Sequence, residues 1–440
     1  MGNAPRILLI RESGDAPDQI YCSALESRGF HFDVSEVSEN PAGPEIGQGV
    51  NAIILELLTN SAAAAADAFR AHARSIAGET GDRKIPILAL CQQDLADDLL
   101  PADDIDAVMH PPLTAGQIAG RIATLARLNT MHFELARRVE TYARYGMDAP
   151  DISPPEIIDE VSILIVGEGA HLAIAERALG KGATLIGALT RDMAEDYLNR
   201  RAFDAILLDL PGDEAVDFLS NIRRNAKFHS LPVLALLPHM ETGDTEALFE
   251  AGATDLFMEP IDPRELAARS DAYIKENRFR EKLRSVYHQA RHMATGDALT
   301  GLYSRGFILE HLDRMLEDKA RWGEPLTLCG LTIDNLKEIN GTYGYAVGDR
   351  IIRQIGTLIG QLVRGEDMTA RWKGGNFLVI LTSTDARDAE VAIARIRGVV
   401  NHTLFSVEDI ASPIQVRIDE KIVEAGPFDL AEALAKRAFR

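Results

Sequence analysis

Five cations gather near the end of the chain: Arg364 in Arg364-Gly-Glu-Asp367, then Arg371 and Lys373, then Arg395 and Arg397. An arginine fork binds a phosphate or a planar acceptor edge through two parallel hydrogen bonds, and it stacks on flat rings. Asp367, three residues after Arg364, can accept from N–H donors and orient the guanidinium. The group suits an anionic, ring-bearing ligand; the alternative is a surface Arg–Asp pair, which contributes little. Two further polar residues lie upstream. Asn340 offers a donor and an acceptor, and Asp349 offers acceptors only, a combination that reads a ring edge or caps a helix and loop. Asp209 closes an apolar run.

The rest of the chain must position these groups. It has 440 residues and a formal net charge of −21, which opposes wrapping DNA or docking on an anionic membrane. Its 46% hydrophobic and 26% charged residues are ordinary for a globular protein, and the length suits about three domains. The three cysteines, Cys22, Cys91 and Cys329, form no C-x-x-C pair, so neither a disulfide framework nor a zinc site is expected. No run approaches the ~18 apolar residues of a membrane span, and the first residues lack an apolar signal core. The expectation is a cytoplasmic protein with no membrane insertion and no DNA partner.

Four short segments recur in order. Ile7-Leu8-Leu9-Ile10 is echoed by Ile163-Leu164-Ile165-Val166, and Asn51-Ala-Ile-Ile-Leu-Glu56 by Asp204-Ala-Ile-Leu-Leu-Asp209. Pro86-Ile-Leu-Ala-Leu90 is echoed by Pro232-Val-Leu-Ala-Leu236, and Asp106-Ala-Val-Met-His-Pro111 by Asp255-Leu-Phe-Met-Glu-Pro260. Continuous apolar runs alternating with helix-like stretches predict parallel strands covered on both faces, duplicated. The fold class read here is α/β: two doubly wound parallel-sheet domains, then an α+β domain. Boundaries are placed at 1–145, a linker at 146–159, 160–280, a connecting helix at 281–296, and 297–440.

Both repeats resemble CheY-like receiver domains of response regulators. That resemblance implies an acidic pair after the first strand for a divalent cation, a phosphoacceptor Asp ending the third, then a hydroxyl residue and a Lys. The first repeat has Arg11-Glu12, Glu56, Cys91 and His110 at these places; the second has Gly167-Glu168, Asp209, Leu237 and Glu259. Only Asp209 remains as a phosphoacceptor candidate, and docking or dimerisation modules are expected. The charged helix from Pro263 to about Ala294 carries Leu266, Ile274, Leu283, Val286 and Met293, a face suited to a homodimer seam or to a connecting helix. His288 and His292 sit one turn apart without a third ligand, so no metal is expected there.

From residue 297, Asp297-Ala-Leu-Thr-Gly-Leu-Tyr-Ser-Arg305, then Thr332-Ile-Asp-Asn-Leu-Lys-Glu-Ile-Asn340 and Arg371-Trp-Lys-Gly-Gly-Asn-Phe377, resemble the three ordered blocks of GGDEF domains, the diguanylate cyclase family. The resemblance implies joining two GTP molecules into cyclic di-GMP with Mg²⁺ held by two carboxylates. Those positions hold Thr332 and Gly375, with Asn376 adjoining, and Lys373 replaces the first signature glycine. The family's late helix with Lys and Arg is not expected before Arg440. These substitutions set the expectations of no cyclase activity, no catalytic residues, no metal and no required cofactor. Asn340 and Asp349 match guanine-reading positions. Arg364, Asp367 and Arg395 match the family's inhibitory site for cyclic di-GMP, so the expected function is an effector that binds this dinucleotide. The domain order further resembles cell-cycle regulators of regulated proteolysis, which implies a protease adaptor or ClpXP as partner and recruitment to a cell pole.

Overall fold

The computed structural model describes residues 6–11, 19–37, 50–59, 66–78, 85–91, 105–109, 111, 113–146, 150–155, 159–169, 171–225, 227–238, 242–291, 296–408, 410 and 412–439. Glu12, His110, His292 and Met293, named above, lie outside these residues, and so does the side chain of His288.

The apolar runs are strands, as their composition predicts. The first domain comprises β1 (Arg6–Arg11), α1 (Gln19–Ser27), β2 (His31–Glu36), β3 (Val50–Leu57), α2 (Ala66–Gly78), β4 (Ile87–Cys91), β5 (Ala107–Met109) and α3 (Ala115–Arg144). The second comprises β6 (Val161–Gly167), α4 (Leu172–Leu179), β7 (Ala183–Ala188), α5 (Arg191–Arg200), β8 (Ala205–Asp209), α6 (Gly212–Arg224), β9 (Val233–Leu237), α7 (Thr242–Ala251), β10 (Asp255–Met258) and α8 (Pro263–Arg291). Both sheets are parallel, with orders β2-β1-β3-β4-β5 and β7-β6-β8-β9-β10, so the sequence repeat is a repeat of topology.

Strand residues alternate between two cores, as period-2 geometry requires. In the first domain Leu8, Ile10, Ile53 and Leu55 pack with Phe69 and Ala73 of α2. Ile7, Leu9, Ile54 and Leu88 pack on the other face with Leu25, Ile118 and Ile122 of α1 and α3. In the second domain Ile163, Ile165 and Leu207 face Leu266 and Ile274 of α8.

The two last helices are the longest, with 30 residues in α3 and 29 in α8. Thr114 caps α3 by accepting from the Gln117 N–H. They join along Met131, Leu135, Phe279, Leu283, Val286 and Tyr287, and the Tyr287 hydroxyl donates to the Met131 carbonyl at 2.5 Å. This corrects the dimer-seam reading of α8: Leu266, Ile274, Leu283 and Val286 are all buried within this one chain. The pattern marked an apolar face correctly, but the same chain covers it: the second domain's sheet over Leu266 and Ile274, and α3 of the first domain over Leu283 and Val286.

The third domain comprises α9 (Arg305–Trp322), β11 (Leu326–Ile333), α10 (Leu336–Tyr343), α11 (Tyr345–Leu362), β12 (Met368–Lys373), β13 (Asn376–Thr382), α12 (Ala386–His402), β14 (Leu404–Phe405), β15 (Ile414–Gln415), β16 (Ile418–Glu424) and α13 (Ala431–Arg437). Its antiparallel sheet runs β12-β13-β11-β16, and β14 pairs with β15. Helices α11 and α12 cover one face, and α9 and α13 the other. A short last helix, α13, carries Lys436 and Arg437 in its last turn and has Leu434 fully buried. Its apolar positions were too few to show periodicity alone.

Candidate functional site

The Arg364–Asp367 turn joins the end of α11 to the start of β12. Its two named residues separate sharply. Arg364 is exposed, whereas Asp367 is 3% exposed and turned inward. One Asp367 carboxylate oxygen accepts from the Arg364 N–H at 3.1 Å, the other from the Thr382 N–H at 3.1 Å. Burial first, then the neighbouring Glu366, push this carboxyl up to about 7, against the Arg364 guanidinium and the two backbone donors. Asp367 therefore shapes the turn and holds the Arg364 backbone, and at 3% exposure it offers a ligand little surface. Arg395, on α12, is exposed and donates to the Leu362 carbonyl at 2.7 Å, two residues before Arg364. Arg364 and Arg395 thus stand on one edge of the domain as neighbouring cations.

Sequence reasoning missed what holds this turn from behind. Arg138 of α3 is fully buried and donates to the carbonyls of Glu366 at 2.6 Å and Asp367 at 3.0 Å, with Gly365 at 3.3 Å. Its guanidinium lies 4.6 Å from the ring centroid of Tyr287 of α8, which also packs at Gly365, where an added Cβ would stand 3.2 Å from the ring. Glu134, one turn earlier, accepts from Arg138 at 3.0 Å, His311 at 2.8 Å and Arg137 at 2.9 Å. Burial would raise the Glu134 carboxyl, but Arg137, His311 and Arg138 outweigh it and hold it at about 2. Burial lowers His311 despite Glu134. Glu134 and Arg138, four residues apart, are a visible i,i+4 pair in the sequence, yet such pairs usually face water.

The signature segment forms the expected hairpin. Gly374 turns with φ of +58°, and Lys373 pairs with Asn376. Thr332 stands opposite Asn376 on one side and Asp419 on the other. Gly375 lies against Leu336, where a Cβ would come within 2.7 Å of the side chain. The hydroxyl of Thr332, the carboxamide of Asn376 and the bare Gly375 are a poor donor set for Mg²⁺, which takes hard and preferably anionic oxygens. Among the described residues no group of three or more His, Cys, Asp or Glu side chains lies close enough to hold a metal ion.

Asn340 and Asp349 meet at the corner where α10 passes into α11. The Asn340 side chain lies over Gly348, whose bare Cα admits it: a Cβ there would sit 1.9 Å from Asn340 Oδ1. That oxygen is buried and accepts no hydrogen bond, and Asp349 beside Gly348 is exposed. An acceptor left open beside an exposed carboxylate suits a ring bearing adjacent N–H donors. From Asp349 to Leu362 the helix rises about 20 Å at ~1.5 Å per residue, so this corner and the Arg364 edge are separate places.

Asp209 ends β8 as expected, but a residue not anticipated occupies its environment. His171 approaches with Nδ1 at 2.7 Å from one Asp209 oxygen and its backbone N–H at 3.0 Å from the other, and its Nε2 lies 3.2 Å from Glu259. Gly167 is obligatory here, since a Cβ would fall 1.9 Å from the Asp209 carbonyl oxygen. Cys91, at the corresponding hydroxyl position of the first domain, is buried, and burial pushes its thiol up to about 11.

Comparison with known proteins places these features. Residues 294–438 match the family described as "Diguanylate cyclase, GGDEF domain". The chain is 26% identical over 379 residues to "Response regulator PleD" of Caulobacter vibrioides, covering 83% of this chain and 81% of that one. It is 31% identical over 138 residues to "Diguanylate cyclase DosC" of Escherichia coli, covering 30% of each chain. The solved GGDEF domain of DgcB from Caulobacter crescentus in complex with c-di-GMP aligns with 26% identity, 33% of this chain, 86% of that one and a TM-score of 0.32. The third domain is thus a GGDEF domain following two parallel-sheet domains, in a chain similar to a response regulator over most of its length. These matches overturn the expectation that the chain is not an enzyme: its third domain is matched as a diguanylate cyclase domain and its relatives carry that name. Substitutions at four positions, Thr332, Lys373, Gly375 and Asn376, do not outweigh the match of the whole domain. The scaffold around them is a complete four-stranded sheet with its covering helices, and Asp334 places an exposed carboxylate just past β11. Among the described residues no helix is long and apolar enough to cross a membrane.

Proposed function

We propose that this chain is a signalling protein of the cyclic di-GMP system that binds the dinucleotide on the Arg364–Arg395 edge of its GGDEF domain. The observation that carries this reading is the placement of two exposed arginines side by side, with Arg395 fastened to Leu362 and the Arg364 backbone fastened by Asp367. Two guanidinium forks on one edge, that of Arg395 held by the Leu362 carbonyl, suit the phosphates and guanine edges of such a ligand. Asp367 acts as a positioning residue. The corner at Asn340 and Asp349 is assigned to guanine, which offers the adjacent N–H donors that Asn340 Oδ1 and Asp349 accept, and GTP is the ligand that fits a cyclase-type domain. By its resemblance to PopA, a protein of the same domain order, protein partners would include a protease adaptor or ClpXP, with recruitment to a cell pole.

Calorimetric titration of the full chain with cyclic di-GMP tests the dinucleotide assignment. Saturable binding weakened about 10–100-fold by Arg364→Ala or Arg395→Ala is the expected result, the range for one charge-assisted contact. Binding that both variants leave unchanged removes the assignment. Incubation with GTP and Mg²⁺, followed by chromatography for cyclic di-GMP, measures turnover in the same preparation.

A further inference from the structure

A second basic site lies between the two parallel-sheet domains, away from the GGDEF domain's own ligand positions. A cavity of about 240 Å³ opens among α3, the loops of the second domain and α8, and its walls carry Arg121, Arg127, Arg223, Arg280 and Arg284 against a single carboxylate, Glu276. In a chain of net charge −21, this concentration of positive charge stands out. Glu276 is fully engaged: it accepts from Arg121 at 2.5 Å and from Arg280 at 2.7 Å. Arg284 is held by the Ser230 hydroxyl at 2.9 Å and by Glu281 at 2.7 Å. Arg127 leans toward Glu366 at 3.5 Å. Arg223 is fixed by neutral groups only, the carbonyls of Gly252, His229 and Leu231 at 2.8, 3.1 and 2.8 Å, and among the described residues no carboxylate pairs with it.

The cations also act on one another. Burial first, and Arg280 second, lower Arg223 to about 10. Burial lowers Arg280 as well; Glu276 opposes this, while Arg284, Arg127 and Arg121 add to it. Several guanidinium groups held together against their mutual repulsion, in a cavity open to solvent, gain most from an anion that bridges them. The size limits the choice. Pockets for drug-sized ligands run about 300–1,000 Å³, above the volume of this cavity, so a small anion fits it better than a dinucleotide. Phosphate is the anion whose tetrahedral oxygens meet several arginine forks at once.

We propose that this cavity binds a small phosphate anion, of the size of inorganic phosphate or pyrophosphate, clamped between the first and second domains. Such an anion ties α3 to α8, the two helices whose far ends hold the Arg364–Asp367 turn through Arg138 and Tyr287. Gly120 provides the test. It is exposed on α3 at the cavity wall, and a Cβ there meets nothing within 4 Å, so Gly120→Glu adds a carboxylate without a clash. The full chain is titrated calorimetrically with pyrophosphate and with inorganic phosphate, at ionic strength fixed with chloride. Saturable binding by at least one of them, weakened about 10–100-fold by Arg284→Gln and by Gly120→Glu and kept by Gly120→Ala, is the expected result. No saturable binding of either anion, or equal binding in Gly120→Glu, overturns the proposal. Cyclic di-GMP titrated into Gly120→Glu reads the Arg364 edge separately, so failure of one assignment leaves the other standing or falling by itself.

Discussion

The guanidinium of Arg138, in the last helix of the first domain, donates to the carbonyl oxygen of Asp367 at 3.0 Å, across 229 positions of the chain. The bond joins a buried cation to the backbone of the turn that presents Arg364. Arg138 also pairs with Glu134 and stacks on Tyr287, so helices from both parallel-sheet domains converge behind that turn. Any shift of α3 along α8 must move the turn or break these bonds.

Arg138→Met is expected to destabilise the protein by about 3–5 kcal/mol, because it leaves Glu134 buried beside fewer cations and three carbonyls short of a donor. Adding Glu134→Gln should recover part of that loss, since the orphaned charge then disappears. Urea unfolding of the single and double variants measures both effects. A single variant within about 0.5 kcal/mol of the unaltered chain would mean the bonds carry no net stability.

Asp367 makes stability depend on pH in a defined direction. Its carboxyl titrates at about 7 in the folded chain, against ~3.9 unfolded. Between these values the folded state holds the proton and the unfolded state has lost it, so the contribution is fully present below about pH 4 and is lost as pH rises through about 7. Asp367→Asn removes this group, and its unfolding free energy should fall less between pH 5 and 8 than that of the unaltered chain. Parallel slopes for the two proteins would contradict the placement of Asp367. Cyclic di-GMP affinity should drop modestly in this variant through the loosened turn.

Much of this architecture was legible because strands buried on both faces are written as continuous apolar runs. The ordered matches from Ile7 to Pro111 and from Ile163 to Pro260 revealed a duplicated topology that needs no long-range information. Arg364 and Arg395 were legible as cations at a stated distance from the hairpin. The inward turn of Asp367 was not, because a side chain's direction depends on which backbone donors, here Arg364 and Thr382, lie within reach. Arg138 was illegible for a related reason: only the docking of α3 on the third domain tells its charge pair from the solvated pairs that look the same in sequence. The dimer seam on α8 failed similarly, since an apolar face does not announce whether its cover comes from the same chain. The seven residues of α13 give too short a stretch for periodicity to show.

His171 sets the expected behaviour of Asp209. Both carboxylate oxygens are engaged, one with the imidazole and one with the His171 N–H. Acetyl phosphate should therefore leave no phosphoryl-aspartate at position 209 in the unaltered chain, as read by intact mass under acidic conditions. His171→Ala should cost about 1–3 kcal/mol, because it strips a buried carboxylate of its imidazole partner. A phosphorylated Asp209 in the unaltered chain would show that His171 yields readily to the incoming group.

Gly348→Ala separates the two proposed nucleotide positions of the GGDEF domain. The new methyl would stand 1.9 Å from Asn340 Oδ1, so the Asn340 side chain must leave its place over the helix. The substitution itself favours the helix, by roughly 0.5–1 kcal/mol relative to glycine, which offsets part of the disturbance. GTP binding followed by fluorescence titration should weaken about tenfold or more, the loss expected when one buried hydrogen-bonding partner is displaced. Cyclic di-GMP binding at Arg364 should hold, because the two positions lie about 20 Å apart along one helix. Equal loss of both ligands would instead place them at a single shared site, and unchanged GTP binding would remove Asn340 from the guanine position.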